Sequence, residues 1–193
     1  MLKVTFFFIT LLLGLFLVGC NESKISEEEI SKQLLLMKDN QAKANFEVND
    51  TLFYASNSIF TGEIDVTAQK IFTELKDQYD SHIVLNLPIV NGFKNTTFNV
   101  EKGSINEFNS NLMIGKIIDK KENLGDGNLF TAGVIKINEI SVERLVIEID
   151  GKVGRYYSGI GNPKLWKNFK GILIIKKPNY KFIDITEKEV FDN

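Results

Sequence analysis

The sequence predicts a mainly β fold, an antiparallel β-sandwich or barrel, preceded by a signal peptide and one short N-terminal helix. From Ala44 onward apolar residues recur at every second position in run after run, the period of a strand with one buried face. Turn formers such as Asn49-Asp50, Asp150-Gly151 and Lys177-Pro178-Asn179 separate these runs, so successive strands are expected to pair antiparallel. Fifteen Phe and a single Cys among 193 residues mean that core burial, and no internal disulfide, must hold the fold.

The chain opens with one positive charge in Met1-Leu2-Lys3. An apolar run from Val4 to Phe16 follows, and small residues lead up to Cys20. That is the layout of a secretory signal, so residues 1–19 are expected to be removed. Residues 20–43 then read as a tether and helix, and residues 44–193 as the β-domain. Within the tether segment, Ser26 and Glu29 have the spacing of a capping box, and Ile25 with Ile30 that of a hydrophobic staple. Glu27, Glu28 and Glu29 place negative charge at the positive end of the helix dipole, while Ile30, Leu34 and Met37 make one apolar stripe. The acidic helix start is taken as capping rather than as a metal site.

The first expected strand carries Phe46 and Val48, and Asn49-Asp50 turns it into a hairpin with Thr51 to Ala55. Ser58 to Val66 reads as the next strand. Val66 to Tyr79 suits either a helix or a strand continuing through Phe72, and strand is favoured. His82 to Leu87 puts Ile83, Leu85 and Leu87 on one face, and Pro88 ends it by removing a ladder donor. Thr96 to Glu101, Leu112 to Ile118 and Phe130 to Ile140 follow, with Asp119 to Asn128 as a polar loop. Arg144 to Asp150 is expected to turn at Asp150-Gly151 and return as Lys152 to Tyr157. The last expected hairpin joins Lys170–Lys176 to Tyr180–Ile185.

Leu17-Val18-Gly19-Cys20 resembles the lipobox of bacterial lipoproteins. That resemblance implies a diacylglyceryl group on the Cys20 thiol, cleavage before it, and acyl chains that replace the lost signal as anchor. The remaining chain is similar in its order of motifs to small all-β lipoproteins of unknown function: Asn45-Phe46-Glu47-Val48-Asn49-Asp50, then Ile83 to Pro88, Gly92-Phe93, and Gly133 to Ile137. It departs from them in having Asn49-Asp50 for an Asn-Gly turn and Gly92-Phe93 for Gly-Thr-Tyr. The resemblance implies no activity.

Chemistry-bearing motifs are sparse. His82 is the only histidine, so a site needing two imidazoles is excluded, and no Gly-x-Ser-x-Gly elbow accompanies it. Glu148 with Asp150, and Asp119 with Glu122 and Asp126, are carboxylate groupings that composition alone produces, and Asp126-Gly127-Asn128 lacks the alternating oxygens of a calcium loop. Gly151 to Gly154 and Gly159 to Gly161 do not match a phosphate-binding order. No catalytic set, cofactor or metal site is therefore expected. The net charge of −2, or −3 once Lys3 is removed with the signal, points away from nucleic acid. The remaining combination is Arg155, Tyr156, Tyr157 and Trp166, an aromatic and cationic set around a glycine-rich irregular stretch suited to a contact surface.

These features lead to the expectation of a membrane-anchored, non-catalytic binding or interaction lipoprotein of the bacterial cell envelope. Its partners would be the membrane, through lipid on Cys20, and an envelope or secreted protein, peptide or glycan; capture of a toxin is one concrete version. A carboxylate-dependent extracytoplasmic hydrolase and a structural envelope lipoprotein are the rivals. A deep cleft holding two carboxylates would favour the hydrolase.

Overall fold

The computed structural model describes residues 26–89, 92–93, 96–100 and 111–192. Cys20, the signal segment, Ile25 and Glu101 lie outside them. The strands are β1 Gln41–Val48, β2 Thr51–Leu52, β3 Phe60–Thr61, β4 Glu63–Thr67, β5 Lys70–Asp77, β6 His82–Pro88, β7 Thr97–Val100, β8 Asn111–Asp119, β9 Leu124–Ile140, β10 Arg144–Arg155, β11 Lys167–Lys176 and β12 Asn179–Ile183. Helix α1, Glu27–Leu36, precedes them, and helix α2, Glu187–Phe191, follows.

Eight strands close a barrel in the order β1, β11, β10, β9, β8, β6, β5, β3 and back to β1, every pairing antiparallel. The expected alternation fills it. Ala42, Ala44 and Phe46 of β1, Ile83, Leu85 and Leu87 of β6, and Leu145, Ile147 and Ile149 of β10 all point into one core. Each fully buried aliphatic or aromatic side chain contributes about 1.5–3 kcal/mol. Phe46, Phe53, Tyr54, Phe60 and Phe169 close one end of the interior with ring contacts between 4.8 and 6.1 Å.

Closure between β1 and β3 rests on a single strand pair, Ala42 with Phe60. The irregular stretch between β2 and β3 covers the rest of that seam. Phe53 N–H donates to the Phe46 carbonyl at 2.8 Å, and the Lys43 ammonium donates to the Ser56 and Ser58 carbonyls, the latter at 3.2 Å. Burial lowers the Lys43 pKa, because those carbonyls solvate its charge less well than water does. Asn49 and Asp50, at φ 50° and 60°, make the tight turn between β1 and β2 that their identity predicts.

Helix α1 belongs to this domain. The Ser26 hydroxyl accepts from the Glu29 N–H at 3.2 Å, and Ile30, Leu34 and Met37 pack on Val146, Ile172 and Ile174, outward residues of β10 and β11. The run Ile172-Leu173-Ile174-Ile175 is apolar on both faces because the core takes one face and the helix the other.

Several sequence expectations are corrected. The first strand starts at Gln41, ahead of Ala44. Ser58 to Val66 is broken into β3 and β4, and the ambiguous stretch turns at Ala68-Gln69 before β5 rather than running through. The loop predicted from Asp119 to Asn128 shrinks to residues 120–123, with Asp126 and Asn128 inside β9. Asp150-Gly151 is no turn. β10 runs straight through it, and Gly151 lies opposite Gly133 of β9. A Cβ on Gly151 would come 2.1 Å from the Ala132 carbonyl and 2.8 Å from Gly133 Cα, so these glycines let two paired strands cross closely.

The final hairpin is also absent. Both edges of β11 are occupied, by β1 and β10, so β12 pairs elsewhere, parallel to β4. Lys177, at φ 39°, redirects the chain, and Asn179 N–H donates to Asn40 Oδ1 at 3.3 Å. Tyr180 then stacks on Phe182, Phe191 meets both rings edge-on, and all three pack against the core that Val190 enters. Burial raises the Tyr180 pKa.

Candidate functional site: the β10–β11 loop and its barrel end

In an antiparallel barrel, strands running the same way end together. The turns that follow β1, β5, β8 and β10 therefore share one end, and α1, the β9–β10 turn and the end of β11 share the other. The first end carries the β10–β11 loop, residues 156–166, singled out by its aromatic and cationic residues.

Trp166 organises that loop from within. Its ring is half-buried and is not part of the core cluster; Nε1–H donates to the Gly159 carbonyl at 3.0 Å and to the Ile160 carbonyl at 3.1 Å. Gly159 N–H donates back to the Arg155 carbonyl at 2.8 Å, and Tyr156 N–H to the Gly127 carbonyl of β9 at 3.0 Å. Asn162 starts a short 3-10 turn, Pro163–Leu165, by accepting from Lys164 N–H at 3.2 Å. A loop held at so many points presents its outer side chains on a fixed frame. Tyr156 is 47% exposed and Tyr157 95%, their rings perpendicular with centroids 5.0 Å apart. Arg155, Lys164 and Lys167 are exposed beside them and form no ion pair among the described residues. The structure thus brings Arg155, Tyr156 and Tyr157 to one surface and places Trp166 behind it.

More apolar surface lies at this end than the sequence revealed. Leu52, Tyr79, Ile117, Ile118, Leu124 and Leu165 are each more than one-third exposed. Cross-links join the segments that carry them. Lys116 Nζ donates to the Phe53 carbonyl at 2.8 Å, Asn57 Nδ2 to Tyr79 Oη at 2.7 Å, and Lys120 Nζ to Asp80 at 2.7 Å. The available sequence signal was Ile117-Ile118, where alternation fails just before the Asp119 turn and two neighbouring apolar residues cannot both face the core.

An open groove of about 370 Å³ lies beside the same loop, lined by Glu47, Asp50, Asp150, Gly151, Lys152, Asn168, Phe169 and Lys170. Its three carboxylates face two lysines, and one lysine takes up two of them. Lys170 Nζ lies 2.8 Å from Asp50 and 3.3 Å from Glu47, and the hydrogen bond to Asp50, then that to Glu47, raises its pKa. Lys152 Nζ donates to Asn168 Oδ1. The other carboxylates noted in the sequence do local work: Glu148 accepts from Asn138 at 2.9 Å, Asp119 from the N–H groups of Lys121 and Glu122, and Asp126 from Asn128. His82 sits on the outer wall, 3.2 Å from Glu74. Among the described residues no three His, Cys, Asp or Glu side chains gather as metal ligands, and no helix is long and apolar enough to cross a membrane. Set beside protein-family models, curated proteins and solved structures, the chain shows no match.

Proposed function

We propose that this chain is a lipid-anchored binding protein of the bacterial cell envelope, held to the membrane through Cys20 and engaging a protein, peptide or glycan with the β10–β11 loop. The observation that carries this reading is Tyr157. A tyrosine 95% exposed on a loop whose backbone is braced by Trp166 offers a large contact area with only two side-chain torsions to fix on binding. Arg155 adds directional donors and Lys164 and Lys167 add positive charge for an acceptor-rich partner, and the flanking Tyr156 and Leu165 supply the water-excluding surround of a contact centre. The filled barrel favours recognition on its outer surface over capture within a lumen.

Two measurements test the proposal. Intact mass of membrane-extracted protein is expected to show a chain beginning at an acylated Cys20, and Cys20→Ser to abolish the lipid; a wild-type chain starting at Met1 with a free thiol refutes the anchor. Tyr157→Ala is expected to leave stability within about 0.5 kcal/mol, as exposed positions do. It should at the same time abolish retention of the partner from envelope extract or of peptidoglycan. Equal retention by wild type and variant would remove this loop as the binding surface.

A further inference from the structure

At the opposite end of the barrel, α1 leaves Leu35 83% and Leu36 87% exposed while its other face is packed. The helix is fastened at both ends to one place. Glu27 pairs with Arg144 at 3.2 Å, and Lys176 Nζ donates to the Met37 carbonyl at 2.9 Å, where Arg144 and Lys176 are themselves strand partners at the start of β10 and the end of β11. The two leucines therefore cannot swing back onto the barrel. Val142, in the adjoining β9–β10 turn, is 49% exposed at the same end.

We infer that this end is a membrane-contact surface, with Leu35 and Leu36 seated among phospholipid headgroups and upper acyl chains. The inference rests on the proposed anchor at Cys20. Cys20 precedes Ser26 by so few residues that even fully extended chain reaches only about 20 Å, and α1 adds only about 15 Å to Leu36. Held that close, two leucines meet the bilayer at high effective concentration, so a contact too weak to recruit a free protein still orients a tethered one. The charges around the patch have mixed sign and are largely engaged: Glu27 with Arg144, Glu28 with Lys32, Asp39 with Lys177, and Glu29 as acceptor from Gln33 Nε2 at 3.3 Å, leaving Lys38 and Glu143 of opposite sign. The contact is accordingly apolar and independent of anionic lipid. It turns the Tyr157 end away from the membrane, toward whatever the loop binds.

The test places the acylated protein in phosphatidylcholine vesicles with brominated acyl chains, carrying one bimane label on Leu36→Cys, Val142→Cys or Tyr157→Cys. Bimane at positions 36 and 142 is expected to lose most of its emission, in low and high salt alike, and bimane at 157 to keep it. Leu35→Ser with Leu36→Ser should restore emission at 142 while the protein stays on the vesicles. Unquenched labels at 36 and 142, or equal quenching at 157, overturn the inference even though the protein remains anchored; contact of the leucines with a second copy would give that pattern. Failure to associate with vesicles at all refutes the anchor, and the membrane seat with it.

Discussion

Gly151→Ala separates the close-crossing role of this glycine from the turn that its Asp-Gly sequence suggests. The added methyl would stand 2.1 Å from the Ala132 carbonyl, and 2.8 Å from both Gly133 Cα and Phe130 Cζ. Favourable contacts of this kind begin near 3.5 Å. Two of the three neighbours are β9 backbone, which has no rotamer to change, so relief requires parting β9 from β10 and weakening the ladder through Gly151–Gly133 and Lys152–Ala132. Overpacking of this kind costs about 1–3 kcal/mol, and a weakened ladder bond about 1 more. The lower entropy of unfolded Ala returns about 0.4–1. The net loss is about 1–3 kcal/mol, or roughly 3–10 °C in melting temperature for a chain of this size. Gly127→Ala is the control, since nothing lies within 4 Å of its Cβ. Thermal melting followed by circular dichroism reads both. A Gly151→Ala variant as stable as Gly127→Ala would refute the crossing and return residue 151 to an open turn.

Asp80 is held down to about 2, chiefly by the Lys120 hydrogen bond and then by that of Lys76. Because its folded pKa lies below the unfolded value, its contribution is present above the unfolded pKa and is lost as pH falls through about 2. Carboxyl NMR titration should show that low midpoint and an upward move in Lys120→Ala; an unmoved midpoint would refute the tie between the β8–β9 and β5–β6 turns. Ile30→Ala, at a residue 4% exposed beneath α1, should cost about 2–4 kcal/mol by denaturant titration. A loss under about 0.5 kcal/mol would mean that the helix is not docked.

What the sequence made legible was local. Inward faces of β1, β6 and β10, the Asn49-Asp50 turn and the Ser26 cap follow from side-chain period and from positions that favour positive φ or a hydroxyl acceptor. The misreadings arose where one local signal serves two tertiary uses. Asp150-Gly151 has turn chemistry, but a missing Cβ is equally what a close strand crossing requires, and only the opposing Gly133 distinguishes them. Lys177-Pro178-Asn179 does redirect the chain, yet its destination depends on β11 having no free edge, a fact distributed over β1 and β10. At the candidate site, Arg155, Tyr156 and Tyr157 could be named from composition in an irregular stretch. Ile117-Ile118 betrayed itself by breaking the alternation, but Leu52 and Leu124 were hidden because each belongs to a different strand end, and only barrel closure brings those ends together.

The pairing of β1 with β11 also sets a timetable for folding. Gln41 must wait for Lys176, and Ala42 has only the single bridge to Phe60 to hold it meanwhile. A chain emerging from its N-terminus can form the β5–β6 and β8–β9 hairpins early, but the wall stays open until almost the last strand has been delivered. The loop entropy of that closure must be overcome before most of the core is sealed, which places this protein among slow folders of high contact order. For the exported chain proposed above, slow closure would suit passage through a secretion channel, which admits only chain that has not yet folded. Until β11 arrives, the exposed edge of β1 is also where a partly made molecule would most readily pair with the wrong strand.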